Sequence, residues 1–240
     1  MSPFKCLPVI LLVLLFCPSL RTYADDGPTA EQSDWLPTLK EADDLLHEQE
    51  TVQVDGKETE GIPNPKFTFP DTGTPIGETR LKIGDQFQLI GVLADGKPYT
   101  LERDEKARGT LVLFLSSTCG ACLSELPLEK AYYVKFRDRG LRVVCVNVWD
   151  GPKTANTIIE KHKIPWNVVV DAQGKIEETV SVDRLPLLLL LNEDLQIVNA
   201  TNTPAGKFAL RTRDFSPPVV YSSNTIQSLD KLLPRNANKE

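Results

Sequence analysis

An apolar segment without a polar break, Thr110-Leu-Val-Leu-Phe-Leu115, is followed within four residues by Cys119-Gly120-Ala121-Cys122 and then by Leu123-Ser-Glu-Leu-Pro127. A strand that apolar is buried on both faces, so the two thiols fall where an interior strand hands over to a helix. A helix start presents unpaired N–H groups and the positive end of the macrodipole, and both favour an anionic sulfur at Cys119. Two intervening residues let the first turn bring Cys122 behind Cys119. A mixed disulfide formed on the outer sulfur can then be resolved by the inner one, and the spacing predicts a redox cycle.

The rest of the chain supplies a frame for that junction. From Leu81 onward, short apolar strands alternate with helical segments. Strands are predicted at Gln86–Val92 and Pro98–Leu101 around the hairpin signal Asp95-Gly96, at Thr110–Ser116, at Leu141–Val148, at Val168–Val170, and at Leu187–Leu191 with Gln196–Ala200. Helices are predicted at Cys122–Arg139, Asn156–Lys163 and Thr225–Leu233. This order predicts an α/β domain with a mixed central sheet flanked by helices, over residues 81–240. The segment 201–222, with Pro204, Pro217 and Pro218, reads as a surface loop.

Residues 25–80 form an acidic extension rich in Pro and Gly. It carries one helix signal, in which Thr38 and Glu41 make a capping box and Leu39, Ala42, Leu45, Leu46 and Gln49 share a face. Residues 1–24 read as a secretory signal. Lys5 precedes an apolar stretch from Leu7 to Leu20, interrupted at Cys17-Pro18 and shorter than a membrane span, and Thr22-Tyr23-Ala24 precedes Asp25. The expected location is extracytoplasmic, periplasmic or secreted, and cleavage is favoured over an N-terminal membrane anchor. Loss of Lys5 and Arg21 leaves 25 basic against 33 acidic residues, a formal charge of −8. Such a balance argues against nucleic acid or an anionic membrane as a partner, since both require clustered Lys and Arg.

With Cys6 and Cys17 in the leader, only Cys119, Cys122 and Cys145 remain of five cysteines. Three thiols do not make a stapling framework, and they read as one dithiol plus one buried thiol. Zinc would need two more ligands at matching spacing, and Cys145, His47 and His162 do not supply them. No metal or other cofactor is expected beyond the Cys119–Cys122 pair itself. Glu125 lies in the early turns of the helix, where the dipole favours a carboxylate. If buried near Cys122, it would exchange that thiol's proton. Pro186 opens a run of five leucines, at a strand mouth where a missing N–H is tolerated. Cys145, inside an apolar strand, reads as a small hydrophobe, and His162, in a charged stretch, as a surface residue. Trp149 and Trp166 follow strands and fit either the site's flank or ordinary aromatic packing.

Taken together, Gly84-Asp85, Asp95-Gly96-Lys97, Gly109–Phe114, Cys119-Gly-Ala-Cys-Leu-Ser-Glu-Leu-Pro127, Val143–Val148 and Leu185-Pro186 leading to Val198 resemble the TlpA/ResA-like family of exported, thioredoxin-fold thiol–disulfide oxidoreductases. The resemblance covers roughly residues 81–200. It implies a cis Pro186 beside the dithiol, with neighbouring backbone pairing to an extended substrate flanked by Thr118 and Leu185. It also implies disulfide- or thiol-bearing exported proteins as substrates, and a membrane-embedded dithiol carrier as electron source. The pattern departs from the family in three places. Thr118 stands where Trp is usual, Leu113 where thioredoxins bury an acid, and Gly120-Ala121 offers no histidine to hold a thiolate. These departures point to a reductant or isomerase-like role rather than a dedicated oxidant and shift proton transfer onto Glu125 or water. Two alternatives stay open, a peroxiredoxin-like thiol peroxidase and a Sco-like copper-binding module. Ser116 and Val112 replace the Thr and Pro of the first pattern, and the cysteine spacing is one residue short of the second.

Overall fold

A computed structural model describes residues 28–54, 57–60, 69–201 and 219–233. The leader segment 1–24 and most of the 201–222 connection lie outside the described residues. In chain order the elements are α1 (Ala30–Ser33), α2 (Leu39–Glu50), β1 (Thr51–Val54), β2 (Lys57–Glu60), β3 (Ile90–Val92), β4 (Pro98–Thr100), β5 (Gly109–Leu115), α3 (Gly120–Phe136), β6 (Leu141–Val148), α4 (Pro152–His162), β7 (Val168–Asp171), α5 (Lys175–Val180), β8 (Leu187–Asn192), β9 (Ile197–Ala200) and α6 (Val219–Leu232).

Five strands make the central sheet, in the order β7-β6-β5-β8-β9. The first three are mutually parallel, β8 runs antiparallel to β5, and β9 antiparallel to β8. Every residue of β5 is buried, as its lack of polar alternation requires. Period-two alternation then sorts the strands onto two cores. Leu111, Leu113, Leu115, Val143 and Cys145 face a layer of helices, where Leu126, Tyr132 and Phe136 of α3 meet Ala42 and Leu46 of α2 and Leu229 of α6. Val112, Phe114, Val144, Val146 and Leu189 face the other way, onto Ile76, Ile83, Phe87, Leu89 and Tyr99. That second face is covered by the 74–89 segment, the β3–β4 hairpin and the short α5, so the helices are not shared equally between the two sides.

Several elements differ from the sequence expectation. The first hairpin strand shortens from Gln86–Val92 to Ile90–Val92, because Gln86 and Phe87 bond instead to the β8–β9 turn region. The hairpin itself closes at Gly96, whose φ of 89° suits a residue without Cβ. The helix after β6 starts four residues earlier than read, with Pro152 in its first turn, where its missing N–H costs nothing. Helix α5, the β1–β2 hairpin and α1 were absent from the sequence reading. Helix α2 does carry its box, in which the Thr38 N–H donates to Glu41 Oε2 at 2.8 Å and the Glu41 N–H donates to Thr38 Oγ1 at 3.2 Å. It is docked on α3 through Ala42 and Leu46, with an ion pair from Lys135 to Asp43 at 3.1 Å.

Candidate functional site

Strand register alone gathers the candidate residues at one end of the sheet. Strands β5 and β6 end there side by side, with Leu115 opposite Asn147, and β8 enters there with Leu187 opposite Phe114. The Ser116–Cys119 turn, Trp149-Asp150 and Leu185-Pro186 therefore leave the sheet at the same end.

Cys119 is the N-cap of α3, which begins two residues earlier than the sequence suggested. The early start matters chemically. The Cys122 N–H donates to Cys119 Sγ at 3.1 Å, so a helix-terminal donor left over by the backbone is spent on this sulfur. Cys119 and Cys122 are joined as a disulfide, with Cα atoms 5.3 Å apart. Cys119 is half-buried and its neighbours Thr118 and Gly120 are exposed, whereas Cys122 is only 4 % exposed. The pair thus has one accessible and one protected sulfur. The Leu185–Pro186 peptide bond is cis, and both residues are half-buried at the mouth of β8.

The turn that carries Cys119 is clamped from β6 by a residue the sequence reading missed. Asp150 accepts from the Ser117 N–H at 2.7 Å, the Ser117 hydroxyl at 2.6 Å and the Asn147 Nδ2 amide at 2.9 Å. Its only sequence signal was an Asn-x-x-Asp step just past a buried strand. Between Asn147 and Asp150 the chain passes through Trp149, held at φ 65° and 58 % exposed.

Helix α3 turns a mixed stripe toward the sheet, in which Cys122, Glu125, Leu126 and Glu129 are all buried. Burial pushes the Glu125 carboxyl up to about 7. Glu129 is raised well above the usual carboxylate range, first by burial and then by the charge of Glu125. Glu129 also escaped the sequence reading, although its spacing of four from Glu125 and seven from Cys122 is the mark of a shared helical face.

The remaining candidates fall away from the dithiol. Cys145 is wholly buried and accepts a hydrogen bond from Trp166 Nε1 at 2.7 Å. Burial holds its thiol far above the ordinary range. Trp166 is therefore a core residue, packed edge-on against Tyr133 with ring centroids 6.0 Å apart, while Trp149 alone of the two stands at the sheet end. His162 is half-buried rather than fully solvated, because Lys130 donates to its carbonyl at 2.8 Å and pins the end of α4. Among the described residues no group of three or more His, Cys, Asp and Glu side chains is arranged to hold a metal. No helix among them is long and apolar enough to cross a membrane.

A mixed sheet of this order is a thioredoxin-like fold, and here a disulfide-bonded cysteine pair stands at the start of the helix that follows its central strand. Residues 63–209 match the model of the Redoxin family, more than half of the chain, and the chain belongs to that family. Similar curated proteins include thiol-disulfide oxidoreductase ResA of Bacillus thuringiensis subsp. konkukian, 23 % identical over 122 residues, which are 50 % of this chain and 70 % of that one. ResA of Bacillus subtilis is 25 % identical over 95 residues, 40 % of this chain and 53 % of that one. Among solved structures, a candidate protein disulfide isomerase from Bacteroides thetaiotaomicron superposes with a TM-score of 0.52 over 65 % of this chain and 93 % of its own. At 17 % identity that likeness speaks for the fold alone.

Proposed function

We propose that this protein is an exported thiol–disulfide oxidoreductase that reduces disulfides in other exported proteins through Cys119 and Cys122. The observation that carries the proposal is the asymmetric placement of the pair, with one sulfur accessible at a helix N-cap and the other protected one turn inside. In the reduced state the helix-start N–H groups favour the thiolate at Cys119. That thiolate attacks one sulfur of a client disulfide. A Cys119–client bond forms, the client S–S bond breaks, and the second client sulfur leaves with the electron pair. Cys122 then gives its proton to Glu125, its thiolate attacks Cys119 Sγ, and the client departs as a dithiol. The client gains two electrons and the enzyme is left with the Cys119–Cys122 disulfide.

In this reading Thr118, beside the attacked cysteine in the turn, and Leu185 and Pro186, at the mouth of β8 at the same end of the sheet, flank an extended client segment that pairs with their backbone. Re-reduction requires a dithiol donor on the same side of the membrane, and a membrane-embedded carrier fits the proposed export. Apocytochrome c and copper-site proteins are suitable clients, since each must present free thiols before it is loaded. No cofactor beyond the cysteine pair enters the cycle. The test is insulin reduction with dithiothreitol as donor. Wild type accelerates turbidity and Cys119→Ser falls to the uncatalysed rate, whereas equal activity in both contradicts the mechanism.

A further inference from the structure

Behind the protected sulfur, the interface between α3 and the sheet holds more polar chemistry than a core requires. Glu129 lies on the buried stripe of α3, is 4 % exposed, and its Oε2 has no hydrogen-bond partner. Across from it, Cys145 belongs to the same core cluster, and strand alternation carries Asn147 onto the same face of β6. Asn147 is 0 % exposed and its Oδ1 is also unpartnered. Natural cores rarely leave a carboxyl oxygen orphaned, and a carboxylate there costs far more than a neutral acid. Glu129 is thus a protonated acid whose O–H needs an acceptor.

Its surroundings name that acceptor. Side chains four residues apart on a helix have Cβ atoms about 5–6 Å apart and reach one another. Glu125 is such a neighbour, and its charge is the one charge that bears on Glu129 among the described groups. From β6 the facing titratable group is the Cys145 thiol, kept neutral by burial. The α2, β5, β8 and α6 elements contribute Ala42, Leu46, Leu113, Leu188 and Leu229 to this cluster; Asp43 of α2 pairs with Lys135 at 3.1 Å, and Asp150 accepts from the Asn147 Nδ2 amide at 2.9 Å. The adjacent Lys130 spends its ammonium on the His162 carbonyl.

We infer that Glu129 is a positioning residue for the proposed dithiol chemistry: it keeps its proton and turns it toward Glu125 when Glu125 ionises, steadying the anion that takes the proton of Cys122. In the disulfide-bonded state, Glu129 Oε2 bonds neither to Glu125 nor to the Asn147 Oδ1 across from it. The proton balance is simple. Cys122 loses one proton, Glu125 gains it and later releases it to the departing client sulfur or to solvent, and Glu129 neither gains nor loses one.

This builds on the oxidoreductase role proposed above, and the experiment separates the two. The resolving step is followed in single turnover against pH for wild type, Glu125→Gln, Glu129→Leu and Glu129→Gln, with infrared difference spectra between reduced and oxidised forms. Glu129→Leu is expected to move the midpoint of the pH profile up by about one pH unit and to slow the step about tenfold at pH 7. Glu129→Gln, whose amide still donates, is expected to keep the wild-type profile. Wild type should show two protonated-carboxyl bands that shift with redox state, one absent from Glu125→Gln and the other absent from Glu129→Gln. A wild-type midpoint in Glu129→Leu overturns the inference. Should Glu129→Leu not fold, identical infrared differences in wild type and Glu129→Gln overturn it equally. If Glu125→Gln itself leaves the profile unchanged, the role of Glu125 fails as well; if only Glu129→Leu does, that role stands without this addition.

Discussion

Among the described residues Cys119 and Cys145 are the two extremes of sulfur environment, with helix α3 and the first half of β6 between them in the chain. Cys119 sits where β5 has ended, half in solvent, and accepts an N–H that the helix start leaves unpaired. Cys145 sits in the middle of β6, 0 % exposed, with the Trp166 indole N–H as donor. Each has one donor, so the hydrogen bond does not distinguish them. What differs is solvent and the direction of the surrounding dipoles. A charge on Cys119 meets a helix N-terminus and water, whereas a charge on Cys145 would meet aliphatic side chains and the acid Glu129. The reactivity proposed for Cys119 and not for Cys145 therefore follows from where β5 stops.

The largest expected contrast follows directly. In the reduced protein at neutral pH, iodoacetamide should modify Cys119 at least about a hundredfold faster than Cys145, read by mass spectrometry of quenched digests. Similar rates would erase the distinction.

A second prediction sharpens the comparison between the buried stripe and the exposed cap. Removing the base with Glu125→Gln should slow the resolving step on the order of 10²-fold. Its stability effect has a defined sign. Glu125 titrates at about 7 when folded against 4.5 as the ordinary value, so the native state holds the extra proton. Its contribution is fully present below pH 4.5 and is lost as pH rises through about 7. Denaturant midpoints of wild type should thus fall relative to Glu125→Gln between those limits, and parallel curves would show that Glu125 is solvated. The smallest effect concerns the inert thiol. Cys145→Ala leaves the Trp166 N–H unpaired and a small void, and should cost about 1–3 kcal/mol of unfolding free energy in urea titrations.

Much of this was legible in the sequence because it is local. The apolar run of β5, the Asp95-Gly96 turn, the Thr38–Glu41 box and the Cys-x-x-Cys spacing each encode their structure within a few residues. The burial of Cys145 followed from its strand. Asp150 and Glu129 were not legible in the same way. Asp150 matters because parallel pairing sets the end of β6 beside Ser117, a contact between residues 33 positions apart. Glu129 reads as an ordinary polar helix residue until α3 is laid on the sheet with that face inward. The β1–β2 hairpin hides in a charged segment, Lys57-Glu-Thr-Glu60, whose composition argues against a strand. Helix α5 is only six residues long, too short to establish a hydrophobic period.

Trapping tests the central claim most directly. Reduced Cys122→Ala, incubated with an exported-protein extract and quenched with acid and alkylating agent, should accumulate mixed disulfides on Cys119 that dithiothreitol releases, while the double variant with Cys119→Ser captures none. Adducts that persist in the double variant, or that map to Cys145, would contradict a mechanism in which Cys119 attacks and Cys122 resolves.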